Sequence, residues 1–373
     1  MMKTNCKGLY VHIPFCVRKC NYCDFCSFSG VDEKIKAAYV DRLCEEILSY
    51  KSEAIKIDTI FFGGGTPTLL DPCDVSKIMS AIRESFVLME SSEITMEANP
   101  GTANFEKLNS FVDCGINRFS IGLQTIHENE LKKLGRIHTY DEFLTMYSNL
   151  RNLGIKNINV DLMYGIPLQT MDSFAKTLRS IADLAPEHIS VYGLILEEGT
   201  PFYSEKNTLP LPREDDECDM YDLACKTLSS AGYNHYEISN YAKTGYESRH
   251  NLKYWHSDEY IGVGLSAYSY YKGRRFGNTR VLCDYISSKN IITQSDTIDK
   301  DTEKYEYVML ALRLKEGFSL SEYKELFGED FLIGREELLA SFQSAGYIIL
   351  NNDRISLTEK GFYVSNSIIV ELL

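Results

Sequence analysis

Cys16, Cys20 and Cys23 stand in a C-x3-C-x2-C pattern directly after the strand-like run Leu9-Tyr10-Val11-His12-Ile13. Thiolates this close on one short loop can converge on a single metal centre. A [4Fe–4S] cluster normally takes four cysteines, so three leave one iron open to a bidentate small molecule. Tetrahedral zinc is the rival reading, because Cys20-x2-Cys23 has zinc-ligand spacing and Cys26 could be a fourth thiolate. Four of the eleven cysteines crowd into residues 16–26, which makes unrelated buried thiols a poor account. An odd cysteine count also argues against a disulfide framework and for metal or thiol chemistry in a reducing compartment.

Further polar residues follow at the ends of later strand-like runs. Gly63-Gly64-Gly65-Thr66-Pro67 caps one of them, where glycine lets backbone approach a ligand closely. It lacks the Lys-Ser/Thr of a phosphate loop and the spacing of a dinucleotide fingerprint. Glu97, Gln124, Arg136 and Asp161 come next. Singly, each is commonly a salt bridge or hydrogen bond. As a set they offer a cation for a carboxylate and acceptors for hydroxyl and ammonium groups. Farther along, His250-Asn251-Leu252-Lys253-Tyr254-Trp255 holds the one tryptophan of the chain. Tyr254 and Trp255 could wall a flat porphyrin, His250 could ligate its iron, with His256 and Tyr254 in reserve, and Arg249 and Lys253 could meet propionates.

These residues need a frame. Strand-like runs lie at 8–13, 57–62, 93–98, 118–124, 157–164 and 188–194, with amphipathic stretches at 39–50, 75–86, 105–114, 141–153 and 173–184. Six strand-then-helix units predict a parallel sheet with right-handed crossovers, either open and doubly wound or a full or partial TIM-type barrel. Both place chemistry at the C-terminal ends of the strands. All nine prolines fall at or before Pro212, and 199–216 reads as a loop closing the repeating region. A connecting segment follows. The last stretch predicts helices at 302–314, 319–327 and 334–345, a hairpin over 347–357 turning at Asn351-Asn352-Asp353, and a final helix. That pattern is winged-helix-like. With 7 basic and 13 acidic residues in 301–373, it suits a structural or docking role better than DNA.

Composition narrows the classes. The 373 residues are 44% apolar and 25% charged, an ordered globular profile. The net charge of −14 disfavours nucleic acid and anionic membrane surfaces. The sequence shows no secretory signal and no apolar run of membrane-spanning length, so a cytoplasmic protein that is not integral to a membrane is expected.

The cysteine loop after the first strand of an α/β barrel resembles the radical S-adenosylmethionine (SAM) superfamily. Tyr10-Val11-His12-Ile13-Pro14-Phe15-Cys16, Gly63-Gly64-Gly65-Thr66-Pro67 and Glu97-Ala98-Asn99-Pro100-Gly101 narrow the likeness to its HemN/HemW-like branch. That branch holds oxygen-independent coproporphyrinogen III dehydrogenases and the HemW haem chaperones. The resemblance implies an α/β fold, a partial (β/α)6 TIM-type barrel with a small C-terminal winged-helix-like domain. It divides the chain into a barrel at 1–235, a connecting segment carrying the His-Asn-Leu-Lys-Tyr-Trp word at 236–300, and a C-terminal domain at 301–373. It implies a [4Fe–4S] cluster on Cys16, Cys20 and Cys23, whose open iron chelates SAM and whose reduced form cleaves it to a 5′-deoxyadenosyl radical. SAM would meet Tyr10, Gly64, Gly65, Thr66, Glu97, Gln124, Arg136 and Asp161, and haem would meet His250, Tyr254 and Trp255.

Two departures separate the chain from the dehydrogenases. Phe25 stands where those have a further cysteine, and the cluster loop begins at residue 16, without their long N-terminal arm. Cys26, one position beyond, reads as an ordinary buried thiol. The expectation is therefore a haem chaperone that passes haem to an acceptor protein. The alternative is a dehydrogenase that oxidatively decarboxylates the propionates of coproporphyrinogen III.

Overall fold

The computed structural model describes residues 6–373. Six parallel strands alternate with helices, as the apolar runs require: β1 Lys7–Ile13, β2 Lys56–Gly64, β3 Val87–Ala98, β4 Arg118–Gln124, β5 Ile158–Tyr164 and β6 His188–Gly193. The helices between them are α1 Glu33–Leu48, α2 Pro72–Ser85, α3 Phe105–Asp113, α4 Glu128–Leu134, α5 Tyr140–Asn152 and α6 Met171–Leu184. Local chemistry sets several of their starts. Pro72 opens α2 where its missing N–H costs nothing, and Thr139 with Glu142 forms a reciprocal cap on α5.

Each strand sorts its residues by alternation. Leu9, Val11 and Ile13, then Phe119, Ile121 and Leu123, then Val160 and Leu162 join the buried apolar core with the helices. Tyr10 and His12, then Arg118, Ser120, Gly122 and Gln124, then Asn159 and Asp161 line an internal cavity. All seven residues of β4 are buried, which fits a central parallel strand covered on both faces.

The sheet does not stop at six strands. The segment read from sequence as a connector supplies further strands to it. These are β7 Asn234–Glu237, β8 Asn240–Ala242, β9 Tyr260–Val263, β10 Tyr268–Tyr271, β11 Arg274–Asn278 and β12 Ile292–Thr297. The order across the twelve strands is β12-β11-β10-β9-β1-β2-β3-β4-β5-β6-β8-β7. β9 lies parallel to β1, pairing Gly8 with Tyr260 and Val11 with Val263, whereas β8 runs antiparallel to β6. The architecture is thus a partial TIM-type (β/α)6 barrel, a curved six-stranded parallel wall extended at both ends.

Of two later helices, the second lines the cavity. Glu214–Ser230 (α7) follows the proline-rich loop, and Arg249–Trp255 (α8) carries the histidine–tryptophan word. The C-terminal unit holds α9 Lys300–Ala311, α10 Leu320–Phe327 and α11 Glu336–Ser344. After these come the hairpin Ile348–Asn351 and Arg354–Leu357, and two short helices, Glu359–Tyr363 and Ser365–Leu372. The single final helix expected from sequence is broken at Val364. No described helix is long and apolar enough to cross a membrane.

Candidate cofactor and ligand cavity

The inward-facing residues enclose a cavity of about 760 Å³. Cys16, Cys20 and Cys23 form part of its wall, together with Tyr10, Gly64, Gly65, Thr66, Glu97, Gln124, Arg136 and Asp161. The structure brings together every residue expected to meet the cluster or SAM. All four cysteines of the loop, Cys26 included, are unpaired by disulfide and partly exposed.

A chain of hydrogen bonds stiffens the cluster side. Arg136 Nη1 donates to Asn99 Oδ1 at 2.8 Å, Asn99 Nδ2 donates to Thr66 Oγ1 at 2.8 Å, and the Thr66 hydroxyl lies 3.8 Å from Cys16 Sγ. Arg136 Nη2 also donates to the Gly122 carbonyl at 3.3 Å. Arg136 Nε and Gln124 Oε1 are buried without a hydrogen-bond partner. Buried polar atoms in folded proteins are normally satisfied, so this pair of orphans marks where a polar ligand would complete the set. Gln124 moreover adopts a positive φ of 69°, backbone strain of the kind that collects at functional sites.

The glycine turn is held from below. Gly64 has φ +114°, and its N–H donates to Glu97 Oε2 at 3.0 Å. Burial, and next the neighbouring Asp161, push the Glu97 carboxyl up to about 7. Asp161 is likewise raised by burial, while Asn159 Nδ2 and Ser120 Oγ donate to it at 2.7 and 3.2 Å. Burial favours the neutral form of both carboxyls, and a cation placed beside them would favour their ionised form instead.

Several participants escaped the sequence reading. His12 donates through Nε2 to the Cys26 carbonyl at 2.9 Å, which leaves Nδ1 to accept from the Tyr10 hydroxyl at 2.9 Å. Asn159 Oδ1 accepts from His188 Nδ1 at 2.6 Å, and His188 Nε2 accepts from the Tyr236 hydroxyl at 2.8 Å. Tyr236 Oη in turn accepts from the backbone N–H of Ser248, which caps α8, at 3.1 Å. A continuous relay thus joins Asp161 to the helix that carries His250.

His250 lies at the far end of the same cavity and is 1% exposed. Burial, and then the charges of Lys253 and Arg118, lower its pKa to about 3, so the ring is neutral. Nδ1 lies 2.9 Å from Thr59 Oγ1 and Nε2 lies 2.9 Å from the Tyr254 hydroxyl. Tyr254 stands edge-on to the imidazole and lines the cavity with it. Trp255 does not join them: its indole lies outside the cavity wall, near Glu237. Arg249 and Lys253 are also turned away. Both pair with Asp58, at 3.3 and 2.9 Å, and Lys253 donates to the Cys6 carbonyl.

A parallel half-barrel whose first strand leads three free thiols into the wall of a cavity that also holds buried polar side chains is the arrangement of a radical SAM protein. The Radical SAM superfamily pattern matches residues 10–181, and that of the HemN C-terminal domain matches 298–364. The heme chaperone HemW of Lactococcus lactis is 35% identical over 370 residues, covering 98% of this chain and 96% of its own. The heme chaperone HemW of Escherichia coli is 35% identical over 381 residues, covering 99% and 98%. The chain belongs to the family of the HemW heme chaperones. Its fold is also that of coproporphyrinogen III oxidase (HemN) from Escherichia coli, with a TM-score of 0.87 at 23% identity over 99% of this chain and 90% of that one.

Proposed function

We propose that the protein is a [4Fe–4S]- and SAM-binding haem chaperone that takes up haem and passes it to an acceptor protein. The observation that carries this reading is the shared cavity. Three free thiols, the glycine turn with Glu97, Arg136 and Asp161, and the neutral His250 all line one space. Cys16, Cys20 and Cys23 would hold the cluster. Arg136 would meet the SAM carboxylate, the backbone at Gly64–Thr66 its amino group, and Glu97, Gln124 and Asp161 its hydroxyl and ammonium groups. Tyr10 would flank the ligand near the cluster loop. When bound, the cluster and SAM supply one-electron chemistry that amino-acid side chains cannot.

His250 is the residue that would hold the haem iron. Its Nε2 is reached once the Tyr254 hydroxyl swings aside, while a hydrogen bond from Nδ1–H to Thr59 would keep the proton on the other nitrogen. A fixed tautomer of this kind is what a ligating imidazole needs.

The test is spectroscopic. Anaerobically reconstituted protein should show brown Fe–S absorption that is lost in Cys16→Ala, Cys20→Ala or Cys23→Ala. Haem added to the native protein should give a ligated Soret band that His250→Ala shifts and weakens, with the cluster spectrum unchanged. A colourless reconstituted protein would remove the cluster assignment, and an unaltered Soret band in the His250 variant would move the haem ligand elsewhere.

A further inference from the structure

Arg118 opens β4 and lines the cavity, yet the residue is only 2% exposed. Its Nε has no hydrogen-bond partner, and no carboxylate lies within ion-pair distance of it among the described residues. Arg136, the other arginine of the cavity, is by contrast bonded to Asn99 and to the Gly122 carbonyl. The interior carboxyls near Arg118 are committed elsewhere. Glu93 accepts from the backbone N–H groups of Arg249 and His250, Asp161 accepts from Asn159 and Ser120, and Glu97 accepts from Gly64. The groups that feel its charge include Asp161, whose raised pKa it partly lowers from beyond ion-pair distance, and the neutral imidazoles of His188 and His250.

A buried cation without a partner is costly, and proteins keep one mainly where a ligand supplies the counter-charge. Position decides which ligand. Arg118 lies four residues before Gly122, whose carbonyl holds Arg136, so the two cations are anchored at points roughly 13 Å apart along the strand. One cavity therefore offers two separate anion positions. The first sits beside the cysteine loop and suits the SAM carboxylate. The second sits on the floor, beside His250. The two cations expected from sequence to face propionates, Arg249 and Lys253, are already spent on Asp58.

We infer that Arg118 is the centre of a second carboxylate subsite on the cavity floor, receiving a propionate side chain of a ligand that packs against His250. The inference rests on the haem reading proposed above, and it names the side chain that would recognise the acid arm rather than the iron.

Haem and its dimethyl ester separate the two contributions, because esterification removes the charge of the arms and leaves the iron. Both are titrated by Soret absorption into the reconstituted full-length protein, with SAM titrated in parallel. Native protein should favour the free acid by about tenfold or more. Arg118→Met should bind acid and ester alike, and Arg118→Lys should restore part of the preference. The ligand-free Arg118→Met protein should also melt higher than native, because an unpaired buried charge has been replaced by an apolar chain of similar length.

A preference that survives Arg118→Met would overturn the subsite. So would a lower melting temperature with discrimination intact, which marks a structural arginine, or a loss confined to SAM, which assigns the carboxylate to that ligand instead. If native protein binds SAM but neither form of haem, the haem reading itself falls and this inference falls with it.

Discussion

At the scale of single residues, the cavity is governed by which groups are charged. Glu97 titrates near 7, against 4.5 for an ordinary glutamate, with burial the larger cause and Asp161 the next. The folded protein therefore holds a proton between these values that the unfolded chain has already released. Stability from this group is full below about 4.5 and is lost as pH rises through 7. A bound cation reverses the preference, because an ionised Glu97 attracts it. SAM affinity, measured by calorimetry on either side of pH 7, should accordingly rise with pH, and Glu97→Gln should flatten the curve. A pH-independent affinity in the native protein would remove Glu97 from the binding site.

Residues of this kind were half legible in the chain. Tyr10, Glu97, Gln124 and Asp161 could be picked out because each ends or interrupts an apolar run. Their inward-facing neighbours two positions away were not: His12, Gly122 and Asn159 occupy the same face of the same strands, and Asn99 follows directly on β3. The period of two that identified the strands already pointed to them. The unpaired state of Arg118 had no such signal, since pairing is a property of three dimensions. Trp255, read from the sequence as a neighbour of the same ligand, stands apart from the cavity, for a helix turns its last residue well away from the face that carries His250 and Tyr254.

At the scale of elements, the glycine turn at the end of β2 is a tight constraint on the cavity. A Cβ on Gly64 would stand 2.5 Å from the His12 ring, and the residue holds a φ of +114°. Gly154 has a φ of +80° with nothing within 4 Å, so it carries backbone strain without the clash. Gly154→Ala should cost about 1–2 kcal/mol. Gly64→Ala should cost more and also weaken SAM binding, since His12 must move and the N–H to Glu97 with it. Thermal melts of the two variants, with and without SAM, check both statements. Equal losses with SAM affinity unchanged would mean that the turn does not shape the site.

The parallel core was readable because its strands are long and apolar. The sheet strands between residues 234 and 297 were missed because they are short or exposed, whereas the hairpin of 347–357 was legible from its turn. β8 has three residues, and all six residues of β12 are exposed, so neither carries a hydrophobic period. Pairing to a sheet built earlier in the chain, rather than their own composition, makes them strands.

At the scale of the whole molecule, the C-terminal unit is not an appendage. One continuous apolar core contains Leu9 of the first strand and Leu372 near the last residue. Within the unit, Tyr307, Phe318, Tyr323, Phe327 and Phe331 pack ring against ring. Tyr363 bonds to Asp222 on α7, and Glu237 bridges to Leu314. Cooperative unfolding is the expectation from such continuity. Melting followed by Trp255 fluorescence and by far-ultraviolet circular dichroism should give one coincident transition. Two separated transitions would show that the unit folds independently. Phe318→Ala, which empties the centre of the aromatic cluster, should lower stability by about 3–5 kcal/mol in urea titration. A loss below about 1 kcal/mol would show that the cluster is not tightly packed.

The pairing of β1 with β9 has a consequence in time. The strand that delivers the cysteine loop finds its second neighbour only at Tyr260–Val263. Roughly 250 residues must be synthesised in between, which at about 5–20 residues per second takes between about 12 and 50 seconds. Throughout that interval the nascent chain carries its thiols beside an unfinished edge. The access of oxidants and the ribosome's own pace therefore compete at Cys16–Cys23 before the wall that shelters them exists.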